Sequence, residues 1–451
     1  MNQGRSGSMF QEFFKLRESS TTVRTELLGG VTTFMTMAYI VFVNPAVLSQ
    51  AGMDFGAVMT ATCLTAAVAT WVMGLAANYP IAMAPAMGEN FFFLTVVLGM
   101  GVSWQVALAA VFVSGVIFFL LTFLGIREMI IDAVPQSLKF AIPVGIGLFI
   151  TFIGMKNAGI IEFPVAGGTP ALGDLSGEPT LVALAGLAVT VGLLALRVRG
   201  AILLGMVLAT ALALVLGVVE WGGDVIDLPP SLAPTFLQLD LGGLLNLSML
   251  PVVIVFLYMA IFDAIGTLIG IGEQAGLLKD GKLPRATPAL MADSSGTVLG
   301  SLLGTSTVTA YIESATGVEA GARTGLANMI TGALFMLALF FSPIVQMVGG
   351  GVGEGGEKLF PLTAPALIVV GSFMARNIAK IEWSDLTESF PAFLVVAGIP
   401  FTWSIADGIA FGFIAYPLLK LLSGRRHEAS ALVYVLGLLF VGLFVIRHAM
   451  L

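Results

Sequence analysis

Apolar runs recur along the chain, parted by short polar stretches. A helix needs about 20 apolar residues to cross the hydrocarbon of a bilayer. The runs near 25–49, 56–77, 104–125, 137–155, 180–196 and 201–219 read as such spans. A second series follows near 249–272, 286–303, 324–346, 360–378, 386–401 and 405–421. Each series also holds one broken segment in the same ordinal place, 80–100 in the first and 304–322 in the second. The pattern predicts an all-α polytopic membrane protein of fourteen segments, seven and then seven more. A last apolar run, 430–446, is left over and reads equally as a fifteenth span, a re-entrant piece or an interfacial helix. An odd number of crossings per half inverts the second half relative to the first. That is the plan of secondary transporters whose sites form at interrupted helices near the midplane.

Composition agrees. The 451 residues are 57% hydrophobic and 10% charged, with a mean hydropathy of +1.00, against about 25% charged in soluble domains. A single cysteine, Cys63, excludes an internal disulfide framework and a cysteine zinc site. The only histidines, His427 and His448, lie near the C-terminus, so neither a buried metal site nor a Ser-His-Asp triad is expected. No cofactor and no nucleic-acid partner is implied. Residues 1–23 are a polar tail without the pattern of a cleavable leader. Its stretch "MFQEFFKLRES" reads as a short interfacial helix with Phe10, Phe13 and Phe14 toward lipid, or as a plain orienting tail.

The placement of charge tests the count of spans. With the N-terminus in the cytoplasm, Arg127, Lys139, Arg197, Arg199, Lys279, Lys282, Arg285, Arg323, Arg376, Lys380, Lys420, Arg425 and Arg426 all fall inside. The outer loops carry Glu162, Asp174, Glu178, Glu220, Asp224, Asp227 and Asp240, and only Lys156 and Lys358 sit clearly outside. A multi-pass protein of the cell (inner) membrane with a cytoplasmic N-terminus is expected.

The two broken segments read "IAMAPAMGENFFF" (81–93) and "STVTAYIESATGV" (306–318). Pro80 and Pro85 keep the first stretch extended, and Thr307, Val308 and Thr309 favour extension in the second. Aligning Met87-Gly88-Glu89-Asn90 with Tyr311-Ile312-Glu313-Ser314 puts an acid at the same place in both. Non-helical backbone at membrane depth must be buried in protein or line a cavity. Two short strands that cross and pair would satisfy each other. The half-helices after them would then aim free N–H groups and positive dipole ends at the membrane centre. Such a site suits a planar, acceptor-rich ligand. A Pro/Gly break that merely kinks a helix is the bland alternative; two breaks at matching places, each with an acid, weigh against it.

Asp263 lies in "FLYMAIFDAIGTLIGIG" (256–272), deep in an apolar helix, with Thr267 one turn on at the same face. An acid there is costly as an ion and is a functional candidate, here for taking up a proton. A structural hydrogen bond to a neighbouring helix is the alternative. Glu313 has the same readings and opens a half-helix. Glu89 either faces the cavity or points away and bonds to Asn90 or Asn44. Asp407 reads as a helix cap, and Glu319 and Arg323 as a surface pair. Phe91, Phe92 and Phe93 read as packing with one ring free to stack, and Tyr311 is the stronger stacking candidate.

Together "LLGGVTTFMTMAYIVFVNPAVL", "APAMGEN", "FDAIGTLIG" and "LGTSTVTAYIESATGVEAGARTGL" resemble the nucleobase–cation symporter-2 family, in its AzgA-like hypoxanthine/guanine/adenine permease branch, over about residues 15–425. The resemblance implies a uracil-permease-like fold with short antiparallel strands in segments 3 and 10. It implies repeats at 24–220 and 245–422, an apolar extension at 423–451, a core domain from 24–125 plus 247–346, a gate domain from 126–220 plus 357–422, and a homodimer through the gate domains. "FDAIGT" matches the family's Glu-His-Ile-Gly-His, placing Asp263 at the base-binding glutamate and Thr267 at the second histidine. Tyr311-Ile312-Glu313-Ser314 matches Tyr-Gly-Glu-Asn and makes Glu313 the second base-binding acid. The branch usually reads Ala-Pro-Gly-Met-Gly-Leu-Asn in segment 3; this chain has Ala86 for the Gly and Glu89 for the Leu.

The resemblance further implies uptake of a purine base coupled to protons, or to sodium. Asp263 and Glu313 would accept ring N–H groups, and protonation of one would neutralise the site. Backbone amides near Met87 and at Ala310–Tyr311 would meet ring acceptors, with Glu89 and Asn90 beside them. Xanthine or uracil as cargo, an anion carrier of the same architecture, an intramembrane enzyme, and a receptor or scaffold are the rival readings.

Overall fold

The computed structural model of the protein describes residues 11–125, 135–163, 169–246, 249–277, 283–353 and 358–449. Phe10, Arg127, Lys279 and Lys282 lie outside the described residues. The first half runs α1 (Val23–Met37), α2 (Ile40–Ser49), α3 (Phe55–Ala76), β1 (Met83–Pro85), α4 (Met87–Met100), α5 (Trp104–Phe123) and α6 (Gln136–Asn157). The short strands β2 (Ile161–Glu162) and β3 (Ala171–Leu172) then precede α7 (Glu178–Ala195) and α8 (Ala201–Leu216). The second half runs α9 (Leu250–Gln274), α10 (Ala286–Leu303), β4 (Val308–Ala310), α11 (Ser314–Glu319), α12 (Leu326–Ala338), α13 (Ser342–Gly349), α14 (Ala364–Ala375), α15 (Leu386–Thr402) and α16 (Ile405–Leu422). The leftover apolar run is one unbroken helix, α17 (Ala431–Ala449), lying along α16, so the re-entrant reading falls.

Local chemistry sets the helix starts. Thr22, Asp54, Asp385 and Ser404 cap α1, α3, α15 and α16 with side-chain oxygens. Asp407 is therefore not the cap of α16; it sits in the first turn and its amide donates to Ser404. Arg323 does not pair with Glu319 as expected. Its guanidinium donates to the carbonyls of Val318 and Ala322, and its amide donates to Glu26, which also takes the Thr324 amide. Glu26, fully buried at the start of the bundle, thus satisfies orphan donors ahead of α12. The N-terminal reading is corrected in part. Phe13 is exposed, but Phe14 is buried against Leu16 and Leu326, and its carbonyl accepts from the Asn78 side chain.

The helices pack in two sets. In one, α3 lies on α10 and α12, α1 on α11 and α12, and α5 on α9 and α10. In the other, α6 lies on α14 and α15, α15 on α16, and α7 on α8 and α14. Each set has a crossing too tight for side chains. A Cβ on Gly325 would stand 2.0 Å from the Gly74 carbonyl, and one on Gly371 would stand 2.4 Å from the Gly147 carbonyl.

Both broken segments are as short as their patterns suggest, and their strands pair with each other. β1 runs antiparallel to β4, with Met83 opposite Ala310, Ala84 opposite Thr309 and Pro85 opposite Val308. The flanking bonds are Ala86 N–H to Thr307 C=O at 2.8 Å and Tyr311 N–H to Ala82 C=O at 2.9 Å. These two bonds are images of one another: residue 86 matches 311, and 82 matches 307. The two-fold relation between the halves therefore passes through Ala84 and Thr309. It also corrects the alignment made by matching acids. Glu313 corresponds to Gly88, and Glu89 to Ser314, one residue out of step.

At the end of α16 a charged cluster ties three elements together. Lys420, fully buried, bonds Glu388 and Glu428 at 2.8 Å each, and Arg425 bonds Asp385 at 2.6 Å and Glu428 at 2.7 Å. Arg425 is the largest cause holding both Asp385 and Glu428 down at about 2. Carboxyls depressed in this way stabilise the fold fully above their unfolded values near 4, and the contribution is lost as pH falls toward 2. Arg425→Gln is expected to melt below the parent protein in detergent at neutral pH. The gap should narrow as the pH is lowered from about 4 to about 2; a gap independent of pH would contradict this origin.

Candidate functional site

The strand crossing brings together carboxyl groups from four segments: Glu89 on α4, Asp263 on α9, Asp293 on α10, and Glu313 at the start of α11. They lie close enough for charge on one to be felt by another, Glu89 with Asp263 and Asp293, and Asp263 with Glu313. The described ion pairs all lie elsewhere in the molecule. This is an acidic centre inside an apolar body, close to the N-terminal ends of α4 and α11.

Each acid is held differently. Glu313 is half-buried, and the Tyr39 hydroxyl donates to its Oε1 at 2.7 Å. Its backbone carbonyl accepts from Thr316 at 2.7 Å and is approached by the Thr36 hydroxyl at 3.4 Å, which fastens the turn to α1. Asp293 is fully buried; its Oδ2 accepts the Ala310 amide at 3.0 Å and the Thr309 hydroxyl at 3.3 Å, while its Oδ1 has no partner. Glu89 is 2% exposed, and its Oε1 also has no partner.

Asp263 lies deep among protein atoms, within hydrogen-bonding reach of the Thr309 hydroxyl of β4. Its side chain keeps an accessible face, and so does Glu273 further along α9. A Cβ added at Gly266 would meet nothing within 4 Å, and one at Gly270 only the tip of Ile312. The accessible part of Asp263 therefore shares the open glycine face of α9. Thr267, one turn on, is only 9% exposed and is turned more toward the protein.

The neighbouring residues are committed to the protein. Tyr311, 5% exposed, donates its hydroxyl to the Pro85 carbonyl at 2.5 Å. The amides of Ala310 and Tyr311, expected as donors to a ligand, are taken by Asp293 and by the Ala82 carbonyl. Antiparallel pairing and a buried acid claimed them first. Met87 opens α4 at 6% exposure, and no side chain caps that helix, so its first-turn amides are not engaged by a cap. Phe91, Phe92 and Phe93 are all buried, Phe92 edge-on to Phe256.

Asn90 belongs to a separate buried network that Glu89 does not join. Its amide donates to Asn44 Oδ1 at 2.6 Å, and Asn44 donates to Thr62 at 2.6 Å and Thr305 at 2.9 Å. The Ser306 hydroxyl donates to Asn90 Oδ1. Four segments are thereby joined behind the crossing.

Two residues of the centre escaped the sequence reading. Asp293 stands in "LMADSSGTVLG", an apolar span, and the rule that singles out Asp263 would have found it. Tyr39 carries no comparable signal. A single tyrosine in a helix is ordinary, and only the fold shows that it meets Glu313.

Comparisons with known proteins place the chain in context. The model of the permease family (Xan_ur_permease) matches residues 24–411. The chain is 45% identical to the guanine/hypoxanthine permease PbuG of Bacillus subtilis, over 96% of this chain and 99% of that one. It is 44% identical to the adenine permease AdeP of Escherichia coli, over 96% of this chain and 95% of that one. Among solved structures, the transmembrane domain of the cyanobacterial bicarbonate transporter BicA superposes with a TM-score of 0.62 at 15% identity, covering 86% of this chain and 96% of that one. At that identity the likeness is one of fold.

The two kinds of buried polar group predict opposite outcomes. Asn44→Ala strips partners from Asn90, Thr62 and Thr305 and is expected to cost about 2–4 kcal/mol, read as a lower melting temperature in detergent. Glu89→Gln replaces an acid that has an unpartnered oxygen, and is expected to change stability by less than about 1 kcal/mol. A reversed order would mean that Glu89, not Asn44, holds the crossing together.

Proposed function

The chain belongs to the permease family, and from that premise we propose that it imports purine nucleobases, namely hypoxanthine, guanine or adenine, together with protons. The observation that carries the reading is the meeting of Asp263 and Glu313 at a strand crossing, one acid with an accessible face and the other at a helix start. Relatives matching nearly end to end are named for guanine, hypoxanthine and adenine, which supports a purine as cargo.

The chemistry fits a flat base with ring N–H groups. Asp263 and Glu313 accept from those donors, and Tyr39 holds Glu313 by its other side. The first-turn amides of α4, from Met87 onward, are the donors for ring acceptors, since those at Ala310 and Tyr311 are engaged. A centre with four acids and, among the described residues, no ion-paired base is costly to carry through a bilayer as charge. A proton taken up with the base lowers that charge. In this reading the set built on α1–α5 and α9–α13 is the moving core, and the set built on α6–α8 and α14–α16 is the gate. The N-terminus is cytoplasmic, as the Lys and Arg placement suggests. The open face of α9 along Gly266 and Gly270 then leads toward the cytoplasm.

A bicarbonate-like anion carrier has the same fold, but an acidic centre repels its cargo. Membership of a permease family leaves no support for an intramembrane enzyme.

Purified protein in vesicles should accumulate labelled hypoxanthine, guanine or adenine, faster when the outside is made acidic. Asp263→Asn and Glu313→Gln are each expected to lower uptake about 10- to 100-fold, as loss of a charge-assisted hydrogen bond does. Undiminished uptake by either variant would sink its assignment. Uptake indifferent to a proton gradient but driven by sodium would remove proton coupling while leaving the cargo in place.

A further inference from the structure

A two-stranded ribbon has two outer edges, and here both are inside the protein. Along β1 the outward groups are the N–H and C=O of Met83 and the C=O of Pro85; along β4 they are those of Val308 and Ala310. Buried peptide groups without partners are rare because they are costly. The structure satisfies those of Met83 and Val308 from the helices alongside, in a symmetric way, while the Tyr311 hydroxyl donates to the Pro85 carbonyl. The Thr70 hydroxyl of α3 accepts the Met83 amide at 2.9 Å and donates to the Met83 carbonyl at 3.1 Å. The Thr297 hydroxyl of α10 accepts the Val308 amide at 3.2 Å and donates to the Val308 carbonyl at 2.9 Å. A hydroxyl is the one small side-chain group able to do both at once. Met83 and Val308 correspond under the two-fold relation already set by the flanking bonds, so one device occurs once in each half.

One turn earlier the symmetry breaks, and the break is chemical. On α10 the residue four before Thr297 is Asp293, which takes the Ala310 amide. On α3 the residue four before Thr70 is Ala66, and the strand residue corresponding to Ala310 is Pro85, which has no N–H to satisfy. The acid is present on the side where a donor exists and absent where none does. All of Thr70, Thr297, Met83 and Val308 are fully buried.

We propose that Thr70 and Thr297 are paired positioning residues for the substrate site: each hydroxyl replaces the missing third strand and fixes where the half-helix that follows begins. β1 leads directly into Met87, and β4 into Tyr311 and Glu313. A strand that slides or rolls against its helix moves those groups relative to Asp263, which stands on a separate helix. Thr297 controls more of the site, because β4 carries both the Asp293 contact and Glu313. The proposal rests on the transport reading, and its test separates the two.

The test compares Thr70 and Thr297 changed to Ser and to Val, each in the full chain. The readouts are base uptake in vesicles, base-induced thermal shift in detergent, and melting temperature without base. Thr297→Val, equal in shape but without the hydroxyl, is expected to raise the KM for the transported base about tenfold or more with a smaller change in maximal rate. Thr70→Val should raise it less. Both Ser variants should stay within about twofold of the parent. A purely structural role would lower the melting temperature and the amount of active protein but leave KM unchanged, and that result would overturn the proposal. Ser variants as impaired as the Val variants would also overturn it, since shape rather than the hydroxyl would then matter. Should Thr297→Val give no folded protein, Thr297→Ala, whose vacated space admits a water, carries the same expectation of a KM above that of the Ser variant. Parent protein that neither binds nor transports a purine would instead count against the transport reading, whatever the threonine variants do.

Discussion

Everything at the centre of this molecule depends on satisfying backbone that is not helical at a depth where water is scarce. A stretch of extended chain in a bilayer protein leaves one amide and one carbonyl per residue to be paired. Two such stretches, one from each half, can pair with each other over only a few residues before their helices resume. The ribbon β1–β4 is that minimal solution. Its inner edges close by mutual pairing, and its outer edges by side chains from α3 and α10 and by the Tyr311 hydroxyl. The Ile81 carbonyl, just outside the ribbon, accepts from the Asn328 side chain at 2.8 Å, and the Ala82 amide donates to the Ser314 hydroxyl at 3.0 Å.

The same constraint explains why the acids sit where they do and why they are not equivalent. Asp293 serves the ribbon, since it accepts a strand amide that pairing cannot reach. Glu313 is held by Tyr39 and stands where a helix begins, so it is both oriented and placed near a positive dipole end. Asp263 lies within reach of the Thr309 hydroxyl of β4 and keeps an accessible face on α9. Glu89 is enclosed with an oxygen that nothing donates to. A graded set of this kind, from structural acid to open acid, assigns roles that residue type alone does not. In the proposed transport reading, the accessible Asp263 is the carboxylate that meets the ligand.

How far the sequence could be read depended on whether a feature is local. The breaks were legible because proline and a run of β-branched residues act within a few positions: Pro85 and Thr307–Thr309 mark extended chain wherever they are. The fourteen segments were legible because length and hydropathy are properties of runs. The register was not. Matching Glu89 with Glu313 rests on residue identity, whereas the structure matches positions by the bonds they make, and Ala86 pairs with Thr307 as Tyr311 pairs with Ala82. Burial of individual side chains was likewise beyond reach. Phe14 turned inward because Leu16 and Leu326 offer it a pocket, and Asp263 proved accessible because the glycines below it leave the face of α9 bare.

The displaced register also changes what the two halves are to each other. Had the acids been true twins, the site would have been a symmetric pair of carboxylates facing one ligand. Instead the ribbon is symmetric and the chemistry laid upon it is not. Proline stands where its partner half has a donor, alanine where the other has an acid, and glycine where the other has Glu313. A planar base has no two-fold axis relating its donors to its acceptors, so a symmetric frame with an asymmetric set of polar groups is the arrangement such a ligand requires. In the proposed purine-transport reading, the inverted halves supply the fixed geometry, and the differences between them supply the discrimination.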